Sequence, residues 1–274
     1  VAEDWTTRIN TAVPNPARIY DYFLGGKDNF PADREVADQL VAIAPVARDV
    51  VEDNRAFLRR AVRFLARDAG IRQFIDLGSG LPTQGNVHEI AQEVAAEARV
   101  VYVDNDAMVV THSRALLAGD NTVAIQADLR EPESILAHPE VRQLIDFDRP
   151  VALLLVAILH FVPDDQDPAG IVARFRDALP AGSYLAISHA TKDIPERPDM
   201  SAEEMTEMGA RAERLYQLTT ASLVTRTHAQ VERFFDGFDL LDPGLVEIQR
   251  WRPDDLASSL PGGFYGGVGR KPGS

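Results

Sequence analysis

From residue 74 to residue 188 the chain alternates short, continuous apolar runs with longer amphipathic ones. Few folds accept that rhythm. The apolar runs at 74–77, 100–104, 123–127, 151–156 and 183–188 are of strand length. Helical spacing fills 84–98, 106–118, 132–146 and 167–179. Continuous apolar strands separated by amphipathic helices predict a parallel sheet covered on both faces, an α/β fold. Two strand candidates, 238–250 and 264–269, close the chain. They bring the expected sheet to seven strands with the last antiparallel.

Extra helices flank this core. Residues 17–24 form a short aromatic segment that Gly25-Gly26 ends. Helical spacing runs through 31–44 and 46–69, and Gly70 is a natural stop. A further helix, 200–221, interrupts the alternation before helix 228–236. With no visible linker or repeat, the 274 residues read as one domain. It divides into a helical cap (1–70), a ligand-binding core (71–190), an inserted helix (191–227) and a C-terminal helix with strands (228–274).

The first strand ends in Asp76-Leu77-Gly78-Ser79-Gly80. Two glycines at a sharp strand-to-helix turn let a ligand approach the backbone, and the following helix N-terminus favours negative charge. Asp104 ends the second strand, where a carboxylate can accept from both hydroxyls of a ribose. Asp128 follows the third strand, where it can accept from an adenine amino group beside the backbone of Leu129. A bland alternative makes Asp76 a helix cap and the glycines a simple turn. A dinucleotide fingerprint would place a third glycine where Thr83 stands, which disfavours an NAD(P)-dependent oxidoreductase.

Bulk properties remove other classes. The net charge of −14 argues against broad nucleic-acid binding, and the absence of cysteine removes disulfides and thiolate chemistry. The six histidines lack metal-ligand spacing, so no metal is expected. The apolar run 151–161 is too short to span a membrane. Residues 1–5 lack a signal-peptide apolar core, which gives a cytoplasmic location by default. No sequence feature sets an oligomeric state.

The order D-L-G-S-G-L-P-T (76–83), V-Y-V-D-N-D (101–106), A-D-L-R (127–130) and H-F-V-P-D-D (160–165) resembles class I S-adenosylmethionine (SAM)-dependent methyltransferases. More narrowly, residues 14–30 (P-N-P-A-R-I-Y-D-Y-F-L-G-G-K-D-N-F) and 54–65 (N-R-A-F-L-R-R-A-V-R-F-L) resemble a bacterial family of about this length. That family was first catalogued as a domain of unknown function and later described as S-adenosyl methyltransferases. The resemblance covers about residues 10–270. It implies a Rossmann-like fold and SAM as cosubstrate. It further implies that Gly78, Ser79 and Gly80 line the methionine moiety, with Asp76 acting through water or the loop backbone. Asp104 would hold the ribose, Asn105 would lie beside the adenine, and Asp128 and Leu129 would meet the adenine edge.

The expected reaction is methyl transfer to an oxygen or nitrogen of a small molecule. A SAM-binding regulator without turnover is the rival. His160, just past the fourth strand, is either a general base or a polar residue that shapes the pocket. His189 reads as packed. Arg18, Tyr20, Tyr22 and Asn29 read as a lid over the ligands, or else as a docked segment. Asn54 begins a helix that could reach the same mouth. The Met205/Met208 stripe fits core packing, with an acceptor platform as the alternative.

Overall fold

The computed structural model describes residues 10–82, 85–116, 119–193, 201–254 and 262–273. Residue Thr83 and parts of three expected helices (84, 117–118 and 200) lie outside them. The cap holds α1 (Pro16–Phe23), α2 (Pro31–Ile43) and α3 (Ala47–Arg67). The core follows as β1 (Gln73–Leu77), α4 (Val87–Val94), β2 (Arg99–Asp104), α5 (Ala107–Leu116) and β3 (Thr122–Gln126). It continues through α6 (Pro132–Ala137), α7 (Pro139–Leu144), β4 (Ala152–Val156), α8 (Pro168–Ala178) and β5 (Tyr184–Ala190). The chain ends with α9 (Ala202–Tyr216), α10 (His228–Glu232), β6 (Asp239–Leu240), β7 (Val246–Glu247) and β8 (Phe264–Arg270).

The strand order is β3-β2-β1-β4-β5-β8-β6, with β7 also on β8. Strands β1 to β5 are parallel and β8 is antiparallel. The fold is the expected Rossmann-like α/β sheet. The chain leaves β1 toward β2 on one side and reaches β4 on the other, which opens a crevice at the strand carboxyl ends. Two expectations need correction. The single strand 238–250 is two short pieces, β6 and β7, because Pro243-Gly244 turns the chain between them and Gly244 N–H donates to Leu241 O (2.7 Å). The described sheet therefore has eight strands. The single helix 132–146 is α6 and α7, broken at Pro139, which has no N–H to continue α6.

Apolar layers cover both faces. Ile75 and Leu77 of β1 face one cluster with Ile135, Ile171 and Phe175. Phe74 faces the other, with Phe57, Ala61 and Leu65 of α3. These α3 residues recur at helical spacing, and each large side chain so buried stabilises the fold by about 1.5–3 kcal/mol. Alternation along β1 puts Asp76 on the α3 face with Phe74. A third cluster joins Ile19, Phe23, Val36, Leu40 and Val51 of the cap to Ala212, Leu215 and Tyr216 of α9.

The cap is also tied by polar bonds. The Asn15 side chain caps α1, accepting from Ala17 N–H (2.8 Å). Its amide donates to Asp106 Oδ2 past β2 (2.8 Å) and to Thr220 Oγ1 past α9 (3.2 Å).

Candidate active site

The β1–α4 turn is fixed by β2. Gly78 N–H and Ser79 N–H both donate to Val103 O (2.8 and 3.2 Å). Gly78 has φ +70, and a Cβ there would stand 2.2 Å from Ile158 Cγ1. Gly80 has φ +65, but a Cβ there would meet nothing within 4 Å. So Gly78 is needed for packing, while Gly80 leaves open space over the backbone.

The acidic strand ends converge beside this turn. Asp104 Oδ2 accepts from Gly80 N–H (2.9 Å) and Oδ1 from Asp106 N–H (3.0 Å). Burial raises its pKa to about 6 against these bonds. The backbone of Asn105 also bonds this carboxylate, which keeps lone-pair capacity for a ligand hydroxyl. Burial raises the Asp76 pKa to about 7, opposed by the charge of Arg55 and helped by that of Asp104. Asp128 is held by Arg130, whose hydrogen bonds keep its carboxyl below the usual range.

All eight residues expected at a nucleotide site (Asp76, Gly78, Ser79, Gly80, Asp104, Asn105, Asp128 and Leu129) line one cavity of about 990 Å³. That is at the upper end for small-molecule sites, which leaves room for two ligands.

The cap forms the facing wall and connects to the strand ends by a relay. Ala157 N–H donates to Ser188 Oγ (2.9 Å), and Ser188 O–H donates to Asn54 Oδ1 (2.5 Å). Asn54 Nδ2 then donates to Tyr20 O–H (2.9 Å), which donates to Val51 O (3.3 Å). The relay fixes Ala157, which sits past β4 at φ +55, a conformation that non-glycine residues adopt only when their surroundings hold them there.

The lid expectation divides here. Tyr20 and Asn54 line the cavity; Arg18, Tyr22 and Asn29 do not. Arg18, 3% exposed, pairs with buried Asp33 and donates to Val13 O (2.6 Å). Tyr22 O–H donates to Asp38 Oδ1 at the surface (3.0 Å). Asn29 Nδ2 donates to Asp21 Oδ2 (2.8 Å). These three fix the cap's shape.

His160 lines the cavity at 3% exposure. Its Nδ1 accepts from Ala190 N–H (3.2 Å). The neutral ring therefore carries its proton on Nε2, which has no partner among the described residues. Burial, with His189 and Arg226 nearby, holds the pKa well below that of free histidine. His189 is packed behind it, its Nε2 2.8 Å from Arg226 Nη1. Met205 is buried, whereas Met208 reaches the cavity.

Sequence reasoning did not single out Asp49, Asp53, Phe161, Ser188 or Tyr216, all of which line or frame the cavity. The spacing of Asp49 and Asp53, one helical turn apart, was the available signal. Among the described residues no cluster could hold a metal ion, and no helix is long and apolar enough to cross a membrane.

A family model described as S-adenosyl methyltransferase matches residues 2–272. A DUF574 family protein from Streptomyces avermitilis is 45% identical, with a TM-score of 0.87 over 96% of this chain and 99% of that one. A candidate methyltransferase from Thermobifida fusca is 44% identical, with a TM-score of 0.86 over 96% of each chain. A SAM-dependent methyltransferase from Anabaena variabilis is similar in fold alone: 15% identity and a TM-score of 0.52 over 96% of this chain and 98% of that one. No curated protein matches in sequence.

Proposed function

The chain belongs to the S-adenosyl methyltransferase family, and from that premise we propose that it methylates an oxygen or nitrogen of a small molecule. The observation that carries this reading is the 990 Å³ cavity in which the glycine turn and the acidic strand ends meet the cap. When bound, SAM supplies a methyl group on a sulfonium, which an acceptor lone pair takes in line as the C–S electron pair stays with sulfur.

Each residue then has a task. The turn of Gly78, Ser79 and Gly80, open over the backbone at Gly80, receives the methionine moiety. Asp104 accepts from the ribose hydroxyls, Asn105 flanks the adenine, and Asp128 with Leu129 meets its edge. Asp76, paired electrostatically with Arg55, serves the amino-acid end. Tyr20 and Asn54 set the distance between cap and strand ends, because in-line transfer depends on positioning.

His160 takes a role other than general base. With Nδ1 occupied by Ala190 N–H, it offers Nε2–H, a donor that orients the acceptor. The acceptor's proton then leaves to water in the cavity. We also read cap, core and insert as one working unit, because α9 shares an apolar cluster with α1 and α2.

Calorimetric titration with SAM, S-adenosylhomocysteine and NAD tests the reading. Both sulfur ligands should bind and NAD should not. Tight NAD binding without SAM binding would overturn it. SAM binding with no methyl transfer in any acceptor screen would favour a regulator.

A further inference from the structure

The cavity wall beyond the strand ends differs in charge from an ordinary protein surface. It includes Asp49 and Asp53 of α3, and no Lys or Arg among the described residues. The two lining arginines stand at the donor end, Arg130 paired with Asp128 and Arg55 facing Asp76. We propose that the acceptor carries a cationic amine on an apolar, aromatic body. The proposal rests on the reading that this cavity holds SAM and an acceptor together.

Asp49 and Asp53 lie one turn apart on the same face of α3, so both can meet one ammonium group. Asp49 is exposed and makes no hydrogen bond or ion pair with any described residue, and its charge acts on Asp53. Asp53 uses Oδ2 to accept from Gln249 Nε2 (2.9 Å), which leaves Oδ1 available. Arg60 is a cation whose charge acts on Asp53. Its guanidinium is committed to the carbonyls of Trp251 (2.9 Å) and Ile248 (2.6 Å), and burial of Asp53 outweighs its influence.

The apolar part of the wall matches such a ligand. Phe161 and Tyr216 have ring centroids 5.6 Å apart, and Phe264 lies 5.4 Å from the His160 ring. Aromatic faces beside carboxylates attract a cation twice over, through the ring quadrupole and through charge. His160 is an independent sign of a ligand. It is a polar side chain 97% out of solvent on the cavity wall, and its Nε2–H lacks a partner among the described residues. It calls for a hydrogen-bond acceptor on the same molecule. An acidic acceptor would meet the carboxylates of Asp49 and Asp53 without a compensating cation.

The test uses the full chain saturated with S-adenosylhomocysteine, titrated calorimetrically with three matched probes: tryptamine, tryptophol and indole-3-propionate. Tryptamine should bind about tenfold or more tighter than tryptophol, the scale of a charge-assisted hydrogen bond. Indole-3-propionate should bind weakest. Asp53→Asn and Asp49→Asn should each narrow the tryptamine advantage and leave S-adenosylhomocysteine affinity within about twofold, since neither residue meets the donor. Three results would overturn the proposal: indole-3-propionate binding as tightly as tryptamine, none of the probes binding, or Asp53→Asn weakening S-adenosylhomocysteine instead of the amine. Failure of S-adenosylhomocysteine itself to bind is seen first and removes the parent reading, and this one with it.

Discussion

Replacing Asp76 by asparagine separates what this carboxylate does for the fold from what it does for a ligand. Asp76 is 7% exposed and makes no hydrogen bond with any described residue. Its pKa rises from 3.8 to about 7, chiefly through burial. A carboxyl whose folded-state pKa lies above its unfolded one binds its proton more tightly when folded. Its contribution to stability is full below about 3.8 and is lost as pH rises through about 7. At ~1.4 kcal/mol per tenfold change, that gap amounts to about 4 kcal/mol at pH 8 and under about 2 kcal/mol at pH 5. Asparagine cannot ionise. Ligand-free Asp76→Asn should therefore be more stable than the parent, with an advantage larger at pH 8 than at pH 5. Asp104, raised to about 6, shifts stability in the same direction, but it is present in both proteins and cancels in the first-order difference. Urea denaturation of both proteins at the two pH values measures the effect. The same variant should bind SAM less tightly, trading function for stability. An advantage that does not change with pH would refute the reasoning.

Asp104→Ala should weaken S-adenosylhomocysteine binding by about 1–3 kcal/mol, read by calorimetry; unchanged affinity would remove the ribose assignment. Affinity of the parent should also decline as pH falls through about 6, where Asp104 becomes protonated. Gly78→Ala should unfold at markedly lower temperature, because its Cβ collides with Ile158, whereas Gly80→Ala meets only backbone strain of about 1–2 kcal/mol. Equal melting temperatures for the two would contradict the turn geometry. Asn54→Ala removes the centre of the relay, leaving the Ser188 hydroxyl without its acceptor and Tyr20 without its donor, for a loss of about 1–3 kcal/mol in a denaturation experiment.

The parallel core was legible because each strand is an apolar run long enough to be buried on both faces. The acidic residues Asp104 and Asp128 stand where those runs stop, so sequence alone placed them at strand ends. Strand order was not written in any local run. It depends on which side of β1 the chain turns to. The lid failed in part for a geometric reason. Tyr20 and Tyr22 are two residues apart, about 200° around a helix, so one faces the cavity and the other the surface. Arg18 looked available because its partner Asp33 comes from another helix. Both readings of His160, a general base or a residue that shapes the pocket, stayed open in the sequence because the bond to Nδ1 comes from Ala190, on a neighbouring strand.

The apolar cluster shared by the cap and α9 has a consequence for how the chain is made. Ile19, Phe23, Val36 and Leu40 leave the ribosome early, while Ala212, Leu215 and Tyr216 are still unmade. About 150 residues separate Val51 from the start of α9, which at about 5–20 residues per second takes roughly 8–30 s to synthesise. Throughout that interval the cap can fold against itself but keeps one flank bare. The cavity wall built by the cap and α9 is thus begun first and finished late, after all five parallel strands beneath it are already made.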